Sequence, residues 1–242
     1  MVFRILLFKL FNSIGAWQAL KAKFGIPTWK GFNEQSYAAE LGNAWANGVD
    51  IWNNAYMQND QKNFAHVSSE KHPRYIRLLK IMMDDGVTAK LEAARTYRDA
   101  FQVLYAYPLH KGFIGMQHLT DINYSEVINF DEDDFIIPGP GAYRGLQKCF
   151  GRKPSEREAS DWIRELVNDQ EVFFEFYGLK PVTLNGRRRI HAIDAQNLFC
   201  ETDKVARLKH PEFKLKANER IKQTLNPTGP LPPPFFPPKW GI

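Results

Sequence analysis

Apolar residues recur at helical spacing from the first turn of the chain. Phe3, Leu6, Leu7 and Leu10 form one stripe, and Ile5, Phe8 and Phe11 widen it. A helix this apolar must be covered on most sides, either by entering the core at once or by packing on an element upstream. A second helical pattern runs from about Asn33 to Asn47 and stops at Gly48. The stretch 51–67 is polar, rich in Asn and Gln, and reads as a loop with helical turns. Pro73 suits a first helical turn. Tyr75, Leu78, Leu79, Met82 and Met83 supply the buried face of that helix, and Gly86 ends it. A shorter helix follows near 88–94.

Thr96 and Asp99 form a capping-box-like start for a helix over Tyr97–Tyr107. Pro108 breaks it, and Lys111-Gly112 turns the chain into a helix over Phe113–Asp121. Helix, tight Gly-containing turn, helix is the helix-hairpin-helix pattern, whose turn amides can grip a DNA phosphate. A helix covers about Tyr143–Phe150. Ser155 and Glu158 are a second capping box, opening a long helix to about Phe176 with Gly178 beyond it. Asn185-Gly186, flanked by Val182-Thr-Leu and Arg189-Ile, predicts a small β-hairpin. Ile193–Lys209 is the last large helix. From Asn226 the chain holds seven prolines, which favours extended backbone. Phe235, Phe236 and Trp240 point to a tail that packs back on the body. The fold class is therefore all-α, with one helical domain over 1–223, one minor hairpin and a Pro-rich tail over 224–242.

Composition adds charge and compartment. The chain has 242 residues, 44% hydrophobic, with a formal net charge of +5, so it can bury a sizeable core. Between Lys180 and Lys222 stand eleven basic against five acidic residues. A concentrated basic surplus is a footprint for polyanions. Cys149 and Cys200 are the two cysteines, which gives no disulfide framework and makes a reducing, intracellular compartment the default. That means the nucleoid in a bacterium or phage-infected cell, or the nucleus in a eukaryote. No apolar stretch reaches transmembrane length, and no membrane partner is expected.

Several enzyme classes are excluded by motif. No Walker-type phosphate loop exists. Gly139-Pro-Gly141 lacks the strand–turn–helix context of a dinucleotide site. His66, His72, His110, His118, His191 and His210 do not form a metal spacing with Cys or carboxylates, so no metal and no cofactor is expected.

Six stretches, taken in order, resemble one family. They are Phe3-Arg-Ile-Leu-Leu-Phe-Lys-Leu-Phe-Asn12 with Trp17, Thr28-Trp29, Asp121-Ile-Asn-Tyr-Ser125, Asp134-Phe-Ile-Ile-Pro-Gly-Pro-Gly-Ala142, Asp194-Ala-Gln-Asn-Leu-Phe-Cys-Glu201 with Asp203-Lys204, and Pro237-Pro-Lys-Trp-Gly241. The set resembles the DNA base hypermodification proteins. That family carries the helical domain found beside hydroxymethyldeoxyuridine DNA kinases and is grouped with the α-glutamyl/putrescinyl thymine pyrophosphorylases. The resemblance implies a helix-hairpin-helix glycosylase scaffold with 107–121 as the hairpin. The glycosylases place a catalytic Asp near the start of the next segment. Here that place reads Pro138-Gly-Pro-Gly141, so Asp134 or Asp194 would take over.

Chemistry on a base inside duplex DNA requires flipping it out. Lys111, Gly112, Arg187, Arg188, Arg189, Lys204 and Arg207 are the candidates for the DNA backbone. Asp194, Asn197 and Glu201 share one helical face. Gln196 and Asn197 offer amides for a base edge, and Asn123 and Tyr124 sit beside Asp121 in a second cluster. Asp194 is the first candidate for a catalytic carboxylate, followed by Asp134 and Asp121. The resemblance implies an amine, from a small amine donor, replacing pyrophosphate on a hydroxymethyluracil base. The scaffold also permits a glycosylase that excises a modified pyrimidine, and a non-catalytic reader of modified DNA stays open. The expected partner is double-stranded DNA with modified bases, and a DNA kinase or hydroxylase would act in the same pathway.

Overall fold

The computed structural model describes residues 1–53, 66–213, 230 and 233–242. The loop expected over 51–67 and the tail expected over 224–242 lie partly outside the described residues. Among those described are eleven α-helices and one two-stranded antiparallel sheet. The chain is mainly α with a minor hairpin, as the periodicity requires. It forms two compact units, Met1–Asn129 and Phe130–Ile242.

The first unit holds α1 (Val2–Phe11), α2 (Ile14–Phe24), α3 (Glu34–Ala46), α4 (Lys71–Asp84), α5 (Val87–Glu92), α6 (Tyr97–Tyr105) and α7 (Phe113–Asn123). Helix α1 packs on α2, α4 and α7. Val2, Phe3, Leu6, Leu7, Leu10 and Phe11 are all buried. Burying each Leu or Phe contributes roughly 1.5–3 kcal/mol, so α1 is a central element of this unit's core. Phe3 meets Trp29 and Phe32 at 5.8 and 5.4 Å between ring centroids. Phe11 stacks on Trp52 and meets Tyr75. The helix ends because Asn12 turns left-handed, at φ 49°, which Asn tolerates better than most residues. Ser13 then caps α2 by accepting from the Ala16 amide. The hydrophobic pattern did not predict α2, because it buries only Ala16 and Leu20.

The capping box at Thr96 and Asp99 is formed in both directions. Helix α6 ends at Tyr105, and Leu109 sits at φ 75° in the turn to α7. A left-handed conformation at a branched residue stores strain that the surrounding structure must hold. Gly115 permits the tight return, since a Cβ there would run into the His110 carbonyl.

The second unit holds α8 (Pro140–Phe150), α9 (Glu156–Asn168), α10 (Gln170–Phe176), β1 (Thr183–Leu184), β2 (Arg188–Arg189) and α11 (Ala192–Lys209). Asn185 and Gly186 both take positive φ in a three-residue loop between the paired Leu184 and Arg188, the conformation that Asn-Gly favours in tight hairpin turns. The helix expected from 155 to 176 is divided at Asp169, where α9 ends and α10 begins. Helix α8 runs against α11 so closely that Gly141 and Gly145 are required. A Cβ at Gly141 would strike Cys200, and one at Gly145 the Phe199 carbonyl.

Candidate functional site

The two units bring together different candidate residues. In the first unit, Lys9 of α1 lies buried on a mostly apolar helix. Its Nζ stands 3.2 Å from Asp121 Oδ2 on α7. The Asp121 side chain keeps 35% exposure, so the pair is closed on the lysine side and open on the carboxylate side. Burial pushes the Asp121 carboxyl above its ordinary range, and Lys9 only partly opposes this.

One turn before Asp121 stands His118, fully buried. Its Nδ1 is 2.8 Å from Nε2 of His110, whose own Nδ1 is 3.0 Å from the Pro108 carbonyl. A carbonyl only accepts, so His110 donates from Nδ1 and His118 Nδ1 donates to His110 Nε2. Burial holds His110 down at about 4. Burial, His110 and Lys9 hold His118 well below its usual value. This neutral pair ties the hairpin turn to α7. Asn123 is buried, and Tyr124 follows the last turn of α7. At the other end of α7, Lys111 is exposed and Gly112 precedes the helix without a side-chain cap. Its first amides are of the kind that bind phosphate.

In the second unit the stretches 131–142, 188–204 and 237–241 meet. Buried Asp133 accepts from the Ala192 amide at 2.8 Å, from Arg189 at 2.6 Å and from His191 Nδ1 at 3.1 Å. Burial alone would raise this carboxyl. His191, the Ala192 amide and Arg189 outweigh it and leave the group below its usual value. Arg188 lies between Glu132 at 2.7 Å and Asp194 at 3.4 Å, with the Trp240 ring 3.8 Å away. Asp194 Oδ2 accepts the His191 amide at 3.0 Å and completes a capping box at the start of α11. Buried Gln196 accepts the Gly139 amide at 2.9 Å and donates to Asn197 at 2.6 Å. These contacts explain why the motif residues occur together: they lock the segment before α8 to the start of α11.

Further along α11, buried Asp203 gathers Arg144, Lys148 and Arg207. Exposed Glu201 pairs with Lys204 at 2.6 Å. The face expected to carry Asp194, Asn197 and Glu201 is thus a row of locally satisfied groups. Arg188, Arg189, Lys204 and Arg207 each have an acidic partner, whereas Lys111 and Arg187 are exposed. Asp134 is exposed in the loop before α8. Asp131, Asp133 and His191 place one ligand atom each within 4.8 Å of the others. Histidine spacing gave no sign of this group. A metal there would compete with the Arg189 guanidinium already bound to Asp133. Sequence reasoning also missed Lys9, His110 and His118. The one local sign for Lys9 was a lysine inside a helix that is apolar apart from Arg4.

Residues 1–215 match the family described as 5-hmdU DNA kinase, helical domain. No curated protein and no solved structure matches the chain.

Proposed function

The chain belongs to the 5-hmdU DNA kinase helical-domain family, and on that premise we propose that it modifies a flipped-out hydroxymethylated pyrimidine in DNA. The family ties it to the metabolism of modified bases. The reaction we assign is replacement of pyrophosphate on the 5-hydroxymethyl group by an amine. The amine nitrogen bonds to the exocyclic carbon, the carbon–oxygen bond to pyrophosphate breaks, and pyrophosphate leaves with the electron pair. The amine proton passes to a carboxylate.

The observation that carries this reading is the Lys9–Asp121 pair. A general base works best with a pKa near the operating pH. Asp121 is raised by burial and partly open, which suits it to accept that proton. Asp194 is engaged by its helix cap and by Arg188, and Asp134 lies on an exposed loop. Asp121 therefore stands first among the three. Lys9 is a positioning residue that fixes the carboxylate. Lys111 and the leading amides of α7 bind the DNA backbone.

The same carboxylate beside a lysine also suits attack on an N-glycosidic bond, so excision of the base is the second reading. Mass spectrometry of duplexes carrying pyrophosphorylated hydroxymethyluracil, with and without amines, separates them. An amine adduct with pyrophosphate release supports transfer. An abasic site supports excision. An unchanged duplex overturns both.

A further inference from the structure

Helix α10 reads Gln-Glu-Val-Phe-Phe-Glu-Phe, yet of these seven residues only Gln170 is buried. The helix packs on α9. Val172 and Phe176, four positions apart, share one side of it, and Phe173 and Tyr177 share another. A helix that is apolar on several sides is ordinarily enclosed. Here, among the described residues, Val172, Phe173, Phe176, Tyr177, Leu179 and Leu198 are each between 42 and 79% exposed.

These side chains form one continuous face. Phe173, Tyr177, Leu179 and Leu198 line a single cavity of about 220 Å³ between α9, α10 and α11. Phe176 meets Tyr177 edge-on, at 5.0 Å between ring centroids. At ordinary side-chain areas the exposed portions amount to roughly 700 Å². The largest apolar patch on a monomer ordinarily covers ~300–600 Å², whereas each partner in a stable interface buries about 800 Å².

The rim carries charge of both signs. Asp169 and Glu171 flank Gln170, Lys180 follows Leu179, and Arg189 precedes Ile190; all four charged residues are exposed. A partner of one sign meets repulsion from part of this rim. A copy related by a two-fold turn can bring its basic residues to the acidic residues of the first. The shape is self-matching as well, since the face holds a projection, Phe176 at 79% exposure, and a recess, the cavity beside it. We propose that two copies of the chain pair through this face about a two-fold axis, each covering the other's α10. Apolar burial supplies the affinity, and the mixed rim sets the register. The pairing stands whether or not Asp121 is the catalytic base.

The test is the mass of the full chain in solution, by light scattering on gel filtration and by sedimentation velocity. Interfaces of this area associate at micromolar concentration or below, so at about 50 μM the expected mass is twice that of one chain. Phe176→Glu places a charge in the paired face but at an exposed position of the single chain. It should keep its helical circular dichroism and weaken pairing about tenfold or more. Leu179→Lys lies outside any helix and should do the same, which keeps the test open if Phe176→Glu loses its helical spectrum. Ile14→Glu, on α2 of the first unit and similarly exposed at 68%, should keep the double mass. A wild-type chain of single mass at that concentration overturns the proposal. So does pairing of wild-type strength in both Phe176→Glu and Leu179→Lys, or equal loss of pairing in Ile14→Glu, which would make the association unspecific.

Discussion

Lys9 and Asp121 lie 112 positions apart in the chain and 3.2 Å apart in the fold. The apolar helix α1 delivers one buried cation to one partly open carboxylate. A base must be ionised to take a proton, so activity should fall as pH drops through the raised Asp121 value. Lys9→Met removes the charge that favours the ionised form. The acid limb of the pH–rate profile should therefore move to higher pH. An unchanged limb would separate Lys9 from the chemistry. Asp121→Asn keeps an acceptor for Lys9 and should reduce turnover about a hundredfold or more, the usual contribution of a positioned base.

Asp194→Asn should act on stability first. It weakens a helix cap worth about 1 kcal/mol and the contact to Arg188. A fall of about 2–4 °C in melting temperature is expected for a chain of this size. Turnover at saturating substrate should remain far above that of Asp121→Asn. A fully folded but inactive Asp194→Asn protein would return the catalytic role to α11.

The histidine pair makes the first unit acid-sensitive. His110, at about 4 in the fold against 6.5 in a model peptide, is neutral where the unfolded chain would be charged. His118 is lowered too. A depressed pKa contributes stability that is present above about 6.5 and lost as pH falls toward the folded value. For His110 the loss is on the order of 3 kcal/mol by linkage. Asp121 has the opposite sign, because its raised carboxyl favours the fold once protonated. Its contribution is lost as pH rises through its folded value. Urea unfolding between pH 7 and 4 should show the histidine slope, and His118→Gln should flatten it.

The contact of α8 with α11 depends on absent side chains. Gly145→Ala pushes a methyl into the Phe199 carbonyl. Overpacking of this kind costs about 1–3 kcal/mol, and calorimetry should find a correspondingly lower melting temperature. An unchanged melting temperature would mean that the two helices can part without loss.

Local chemistry was legible in the sequence. Thr96–Asp99 and Ser155–Glu158 each announce a capping box, and both form. Asn185-Gly186 announces a hairpin, and it forms. Weak or unusual local signals were not legible. Helix α2 buries too little to show periodicity. The pattern runs through Asp169, so the break between α9 and α10 is hidden. His191 is an unusual cap, which left Asp194 looking like a free carboxylate. Nonlocal pairing was the least legible. A face shared by Asp194, Asn197 and Glu201 can be counted from helical spacing, but the partners already engaging them cannot. Lys9 carries no mark that it meets Asp121.

The most direct test is single-turnover reaction of a duplex bearing one pyrophosphorylated hydroxymethyluracil, with an amine, by wild type, Asp121→Asn and Asp194→Asn side by side. The expected result is an amine-substituted base and free pyrophosphate from wild type, a reduced but clear yield from Asp194→Asn, and almost none from Asp121→Asn. Wild-type yield from Asp121→Asn, or no base change with any of the three, would contradict a base-modifying role centred on Asp121.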